Sequence, residues 1–218
     1  MSHNRSLLLF RSLYVFLVLI FIAGFASSQR FRGGLTGGLV ASEISGDNLG
    51  GPNKLGWYAS VYTSTSLSEL SELKLAIMYI EKGSRSVPDE NNNFFEYRLS
   101  LQYVEVPVTY RIDITSFTRN RYLSKLVLEG GLSASAIVGW REQEGGAEVP
   151  EMENREFYPF EGNILLGLTY PVGNIFDFHF GFSHGFTPAR PHASGASRWY
   201  NRGQYNMLWT LGITYEIW

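Results

Sequence analysis

The stretch that most constrains this chain is its last one, Tyr205 to Trp218: Tyr-Asn-Met-Leu-Trp-Thr-Leu-Gly-Ile-Thr-Tyr-Glu-Ile-Trp. Every second residue from Tyr205 to Ile217 is large and apolar or aromatic. A period of two puts all seven of those side chains on one face of a β-strand. Small or polar residues occupy the other face. Such a strand suits the wall of a closed barrel in lipid, with the apolar face turned to the acyl chains. The residue order also places Trp218 out of phase with the stripe, which ends at Ile217.

The amino-terminal end agrees with a membrane destination reached by export. Met1 to Arg11 carries Arg5 and Arg11 and no acidic residue, and Leu13 to Ala26 is an uncharged apolar run. Ala26-Ser27-Ser28 then supplies small residues before Gln29. This order of basic segment, short apolar segment and small residues predicts a cleaved signal peptide over residues 1–28. The 14-residue run is short against the roughly 20 residues that a spanning helix needs. Residues 29–218 are then expected to form one β-barrel domain.

Setting aside Arg5 and Arg11 leaves 16 basic against 20 acidic residues, a formal charge of −4 with no basic excess to suit nucleic acid. The absence of cysteine excludes disulfides, thiolate metal sites and a cysteine nucleophile. No zinc spacing, calcium loop or phosphate-binding glycine loop occurs, so no cofactor is expected.

Eight alternating segments are legible. Phe31 to Ile44 sets Phe31, Leu35, Leu39 and Ala41 on one face, and its glycine pairs suit sharp curvature. Ser45 to Lys54 reads as a loop. Leu55 to Ser64 alternates Trp57, Ala59 and Val61 against Tyr58, Ser60 and Tyr62, and a third strand aligns Leu73, Leu75, Ile77 and Tyr79. Tyr97 to Ile112 changes apolar phase midway, which predicts a β-bulge near Tyr103-Val104. Lys125 to Trp140 carries Leu126, Leu128, Leu132, Ala134, Ala136, Val138 and Trp140 on one face. Asn163 to Tyr170, Ile175 to Phe186 (with Phe176, Phe178, Phe180 and Phe182 in phase) and the closing strand complete the set.

The predicted fold is all-β: an eight-stranded antiparallel up-and-down transmembrane barrel. Connections near Ser68, Thr118 and Val172 are the short, periplasmic ones; those near Gly50, Asn92, Glu148 and Ser194 are longer and extracellular. Aromatic residues fall into two expected girdles, Trp57, Tyr79, Trp140 and Tyr205 outside and Tyr110, Tyr170, Tyr215 and Trp218 inside. A soluble lipocalin-like barrel would have to bury the phenylalanine quartet and the closing stripe in a narrow lumen.

Tyr103-Val104-Glu105-Val106-Pro107-Val108-Thr109-Tyr110 resembles the Tyr-Leu-Glu-Ile-Pro signature in the fourth strand of PorT-like outer-membrane β-barrel proteins. Leu75 to Ser84 is similar to that family's third strand, which commonly ends in Lys-Gly. Phe31 to Leu39 and Leu128 to Leu132 resemble its glycine-rich first and fifth strands. The resemblance implies a barrel of the Gram-negative outer membrane, inserted by the outer-membrane assembly machinery. It also implies a possible accessory role in protein secretion, as for a few members.

Inside such a barrel, Lys74, Arg111, Glu129 and Asp177 are expected toward the periplasmic end and Glu105 and His179 nearer the middle. Eight strands leave room only for side chains, so these charges are expected to form a plug rather than an ion pathway. A rim lipid A hydrolase is the catalytic alternative, but Ser183 and His184 are adjacent on a strand and point to opposite faces. The outer loops hold more chemistry. Glu142, Glu144 and Glu148 lead an acidic loop; Arg190, Arg198 and Arg202, with Trp199 and Tyr200, mark a basic one. The two are expected to attract each other over the mouth and to offer a surface to a protein partner or to lipopolysaccharide headgroups. A partner at the periplasmic turns is a further expectation.

Overall fold

The computed structural model describes residues 31–47, 49–118, 120–149, 157–173, 175–191 and 203–217, and not the side chain of Asn91. The expected signal peptide, Trp218, His192, Arg198, Trp199, Tyr200 and Arg202 lie outside the described residues. The strands are β1 Phe31–Ser45, β2 Lys54–Ser68, β3 Ser71–Ser86, β4 Tyr97–Asp113, β5 Val127–Glu144, β6 Ala147–Glu148, β7 Phe160–Pro171, β8 Phe176–Gly185 and β9 Tyr205–Glu216. Sheet order is β4-β3-β2-β1-β9-β8-β7-β5, and β4 pairs with β5 to close the ring. Eight antiparallel strands thus form a barrel, and β6 is a two-residue flap on the rim of β5. Closure removes every sheet edge, which is what lets strands cross lipid without unpaired backbone groups. No helix among the described residues is long and apolar enough to cross a membrane.

The two faces separate as the alternation requires. Trp209, Leu211, Ile213 and Tyr215 are exposed on the outer surface, while Leu208, Thr210 and Thr214, which alternate with them, are buried in the lumen. Phe176, Phe178 and Phe180 point outward in the same way. Trp57 packs on Tyr79 (ring centroids 4.8 Å apart) toward the long-loop end, and Phe176 on Tyr215 (5.3 Å) toward the short-turn end. Between them, Trp209 stacks against Phe180 and meets Phe182 at a tilt. Glycines make the lumen fit its tyrosines. A Cβ on Gly212 would lie 2.3 Å from Tyr58 Oη, and one on Gly34 would lie 2.7 Å from Tyr62 Oη.

Three local expectations are corrected. The bulge is not in β4, which keeps one phase: Leu99, Leu101, Tyr103 and Glu105 are all buried inward, and Val104, Val106 and Val108 all face out. The sequence pattern changes there because the long-loop half of the lumen is itself apolar. Val40, Ile44, Ile80, Leu99, Leu101 and Leu208 cluster there with Tyr58 and Tyr103. The bulge sits in the partner strand. Gln102 pairs with Gly139 and Tyr103 with Ile137, so Val138 is the extra residue. Beyond it the phase of β5 inverts, and Trp140 stands opposite Leu101 rather than in the lipid-facing stripe. Lys54, expected in a loop, opens β2 with its side chain fully buried, and β3 runs past Lys82-Gly83 to Ser86. Lys125, expected to start the fifth strand, closes a 3-10 turn over Leu123–Lys125, and the strand begins at Val127.

Candidate functional site: a filled lumen and a latched mouth

The inward faces of the strands stack their polar residues in layers. At the short-turn end Arg111 bridges two strands, with Nε 3.1 Å from Glu129 Oε1 and Nη1 3.1 Å from Glu72 Oε2. Arg32 also pairs with Glu72 and reaches Glu216 at 3.9 Å. Thr169 Oγ1 donates to Glu129 Oε1 (2.6 Å), and His179 Nδ1 lies 3.9 Å from the same oxygen. Lys74 Nζ sits over the Tyr62 ring, 4.6 Å from its centroid. Asp177 is half-buried at the edge of this group, paired in register with Pro171 and Thr214.

A second layer fills mid-lumen. Lys82 Nζ lies 2.9 Å from Glu105 Oε2, and both side chains are at most 1% exposed. Ser133 and Ser135 donate to the two Glu105 oxygens (2.6 and 3.0 Å). Asn163 Nδ2 donates onward to those hydroxyls, at 3.2 and 2.8 Å. Asn206 Nδ2 donates to Glu161 Oε2 at 2.7 Å. A cavity of about 90 Å³ separates the two layers, bordered by Lys74, Glu105, Glu129, His179, Ser183 and Thr210. Above the second layer lies the apolar cluster. A buried charge with no partner would cost several kcal/mol, and interlocking carboxylates with cations across strands avoids that cost.

At the long-loop mouth Arg190 is the hub. Its Nη1 lies 3.2 Å from Glu142 Oε1, its Nη2 donates to Tyr97 Oη (3.0 Å) and its Nε to Gln204 Oε1 (2.5 Å). Tyr97 also hydrogen-bonds Glu142, and the guanidinium covers the Phe157 ring at 5.1 Å. Tyr158 N–H donates to Ala189 O (2.8 Å), and Gln204 Nε2 reaches Gly46 O (3.4 Å). All four long connections, or the strand residues next to them, therefore contribute to one latch. Burial works against the Arg190 charge, but Tyr97 and Glu142 outweigh it and hold its pKa above the ordinary value. Burial raises the carboxyl pKa of Asp47 in the same region. The Val138 bulge makes the latch possible, because it turns Glu142 to the lumen side, opposite Leu99.

Of the residues singled out from the sequence, Arg111, Glu129 and His179 come together in the lower layer, with Lys74 and Asp177 beside them. Glu105 belongs to the upper one. Glu142 and Arg190 meet at the mouth. Glu148 pairs with Arg141 on the exposed rim (3.2 Å), and Glu144 is exposed at the end of β5. Ser183 faces the lumen while His184 faces outward beside Tyr205, at 6.5 Å between centroids. Sequence reading missed Arg32, Glu72, Lys82, Glu161, Asn163 and Asn206. Lys82 was recoverable, since it continues the inward phase of Lys74, Ala76, Met78 and Ile80. Glu161 continues that of Asn163 in β7, but its glutamate-rich surroundings suggested a loop.

An apolar outer band, aromatic rings toward both ends and a lumen filled by interlocked charges define a transmembrane β-barrel. The chain belongs to the outer membrane protein beta-barrel domain family, which it matches over residues 25–189. It is a protein of the bacterial outer membrane. No curated protein matches its sequence. Among solved structures it is similar to Ail of Yersinia pestis in complex with the heparin analogue sucrose octasulfate (12% identity, 86% of this chain and 99% of Ail, TM-score 0.48). It is also similar to Neisserial surface protein A (13%, 88% and 100%, TM-score 0.47) and to OprG of Pseudomonas aeruginosa (8%, 87% and 95%, TM-score 0.37).

Proposed function

We propose that the protein is a non-catalytic outer-membrane barrel whose lumen is a structural plug and whose long loops form a binding or assembly surface. The observation that carries this reading is the stacking of two charged layers and an apolar cluster across the lumen, which leaves the barrel ends as the places to meet partners. The Arg190 latch supports it further, because it ties together described residues in or next to all four long connections. In this reading residues 1–28 are removed on export and the barrel is folded by the outer-membrane assembly machinery. Lipopolysaccharide headgroups surround the loops, and a protein partner is met at the loops or at the short turns.

A more specific role, as a PorT-like accessory of protein secretion, draws its support from the resemblance of Tyr103–Tyr110, Leu75–Ser84, Phe31–Leu39 and Leu128–Leu132 to strands of that family. The pore and hydrolase alternatives make different predictions. Purified protein in planar bilayers is expected to give a closed trace; steady conductance steps would replace the plug with a channel. His184→Ala is expected to leave lipid A acylation unchanged, and altered lipid A would restore the enzyme reading. The binding surface itself is tested by photo-crosslinking residues placed at Glu144 and Glu148 and at Leu70 and Val172 in intact cells. Discrete protein or lipopolysaccharide adducts from one end are expected, and no adduct from either end would sink the proposal.

A further inference from the structure

The long-loop end of the β3–β4 hairpin carries two arginines side by side. Ser84 and Ser86 on β3 and Leu99 on β4 are buried toward the lumen. Arg85 and Arg98 alternate with them, so both point outward, and both are exposed. Arg85 is paired in register with Arg98. Like charges directly opposite each other on antiparallel strands destabilise the pair. Arg141 adds a third guanidinium to the same outer face. It stands opposite Ser100 on β5, diagonal to Arg98.

The acids nearby leave this pair unneutralised. Among the described residues, neither Arg85 nor Arg98 has an ion pair or a side-chain hydrogen bond. Glu81, on the same face of β3, is held by Lys54 Nζ at 2.6 Å. Glu148, across Gln143 from Arg98, is held by Arg141 at 3.2 Å. That pair is 69% exposed on both sides and gives way readily. Asp89, Glu90 and Glu96 belong to the connection beyond the pair, farther along the hairpin from the apolar band. The height of the arginines is also set by register. The outward faces of these strands are apolar up to the Tyr79–Val104 pair. Arg98 lies six residues beyond Val104. At roughly 3.3 Å per residue and a strand tilt near 40°, that is about 15 Å past the apolar band, beyond the acyl chains.

We propose that Arg85 and Arg98, flanked by Arg141, bind a phosphate group of lipopolysaccharide against the side of the barrel. Adjacent guanidiniums clamp a phosphate with paired N–H donors, and its negative charge removes the repulsion that the bare pair carries. Gln143 beside Arg98 and Ser100 beside Arg141 offer neutral donors to neighbouring sugar hydroxyls. The arginines project sideways from the wall, toward the molecules of the outer leaflet, and not upward from the mouth. That direction favours a membrane lipid over a protein carboxylate. The inference rests on the reading of the long connections as extracellular.

The protein is refolded in detergent free of lipopolysaccharide, and binding of purified lipopolysaccharide is followed by native mass spectrometry. Arg85→Gln combined with Arg98→Gln is expected to weaken binding about tenfold or more. Wild-type affinity is expected to fall as salt rises. Lipopolysaccharide stripped of phosphate with hydrofluoric acid should bind the wild type no better than the intact molecule binds the variant. Without lipopolysaccharide, the variant should melt at or above the wild-type midpoint, because the repulsion is gone. A lower midpoint would make the arginines supports of the wall and overturn the site. Unchanged affinity in the variant, or undiminished binding of the dephosphorylated molecule, would overturn it as well. Competition by inorganic phosphate at concentrations equal to lipopolysaccharide would reassign the pair to free anions. Retained lipopolysaccharide binding with loss of a protein crosslink from position 100 would reassign it to a protein. Orientation is tested separately, since the chain has no cysteine of its own. A cysteine placed at Glu90 is expected to take an impermeant maleimide on intact cells. No label would overturn the extracellular reading together with this one, whereas labelled cells and a fully binding variant would overturn the phosphate site alone.

Discussion

Arg190 Nη1 lies 3.2 Å from Glu142 Oε1, joining residues 48 apart in sequence across the mouth of the barrel. Neither side chain is more than 10% exposed, so this pair is screened far less than an ordinary surface ion pair. Glu142→Gln removes the charge and keeps the shape. It is expected to cost roughly 1.5–3 kcal/mol locally, the range for hydrogen bonds to charged groups. Because the barrel wall does not depend on the latch, heat-modifiable migration should survive. Limited proteolysis of whole cells should cut the 186–204 connection faster in the variant, and identical cleavage would refute the latch.

Deleting Val138 removes the extra residue and leaves Gly139, Trp140 and Glu142 opposite Gln102, Leu101 and Leu99. Trp140 and Glu142 should keep the lumen side and Arg190 its carboxylate. Were β5 regular at Val138, the same deletion would slip the strand by one residue and send each later side chain to the opposite face. A variant keeping Trp140 as its sole tryptophan reports this directly. Quenching by lipids brominated near the headgroup should be unchanged on deletion, and increased quenching would place the bulge elsewhere.

Lys82→Met strands Glu105 and Glu161 together in mid-lumen. Breaking a buried pair by removing one partner costs about 3–5 kcal/mol, a large part of a domain's stability. Lys82→Met should shift the urea midpoint of the barrel strongly downward. Adding Glu105→Gln should recover part of the loss, since one stranded charge is gone. A double variant no more stable than the single one would show that the layer is not held by this pair.

Gly212→Ala brings a methyl to 2.3 Å from Tyr58 Oη and 2.6 Å from the Gly37 carbonyl oxygen. Overpacking of this kind typically costs about 1–3 kcal/mol. Tyr58→Phe in the same chain relieves only the hydroxyl contact, because the backbone of β1 cannot move aside. Partial rescue of the unfolding midpoint is the expected result; full rescue would mean that β1 yields.

The alternation of Tyr205 to Ile217 and of Phe176 to Phe182 by itself determined a lipid-facing barrel, because a period of two has one geometric meaning. The glutamate of Tyr103-Val104-Glu105 was legible as a lumen residue for the same reason. What pattern could not decide was where an apolar residue points when both sides of the wall are apolar. Leu99 and Leu101 face an apolar stretch of the lumen, not lipid, and their phase reads as a bulge. Nor could local spacing pair Asn163 with Ser133 and Ser135, or Arg190 with Glu142. Those contacts arise only when strands far apart in sequence are brought into register by ring closure, and a single inserted residue, Val138, decides which face the last turn of β5 presents.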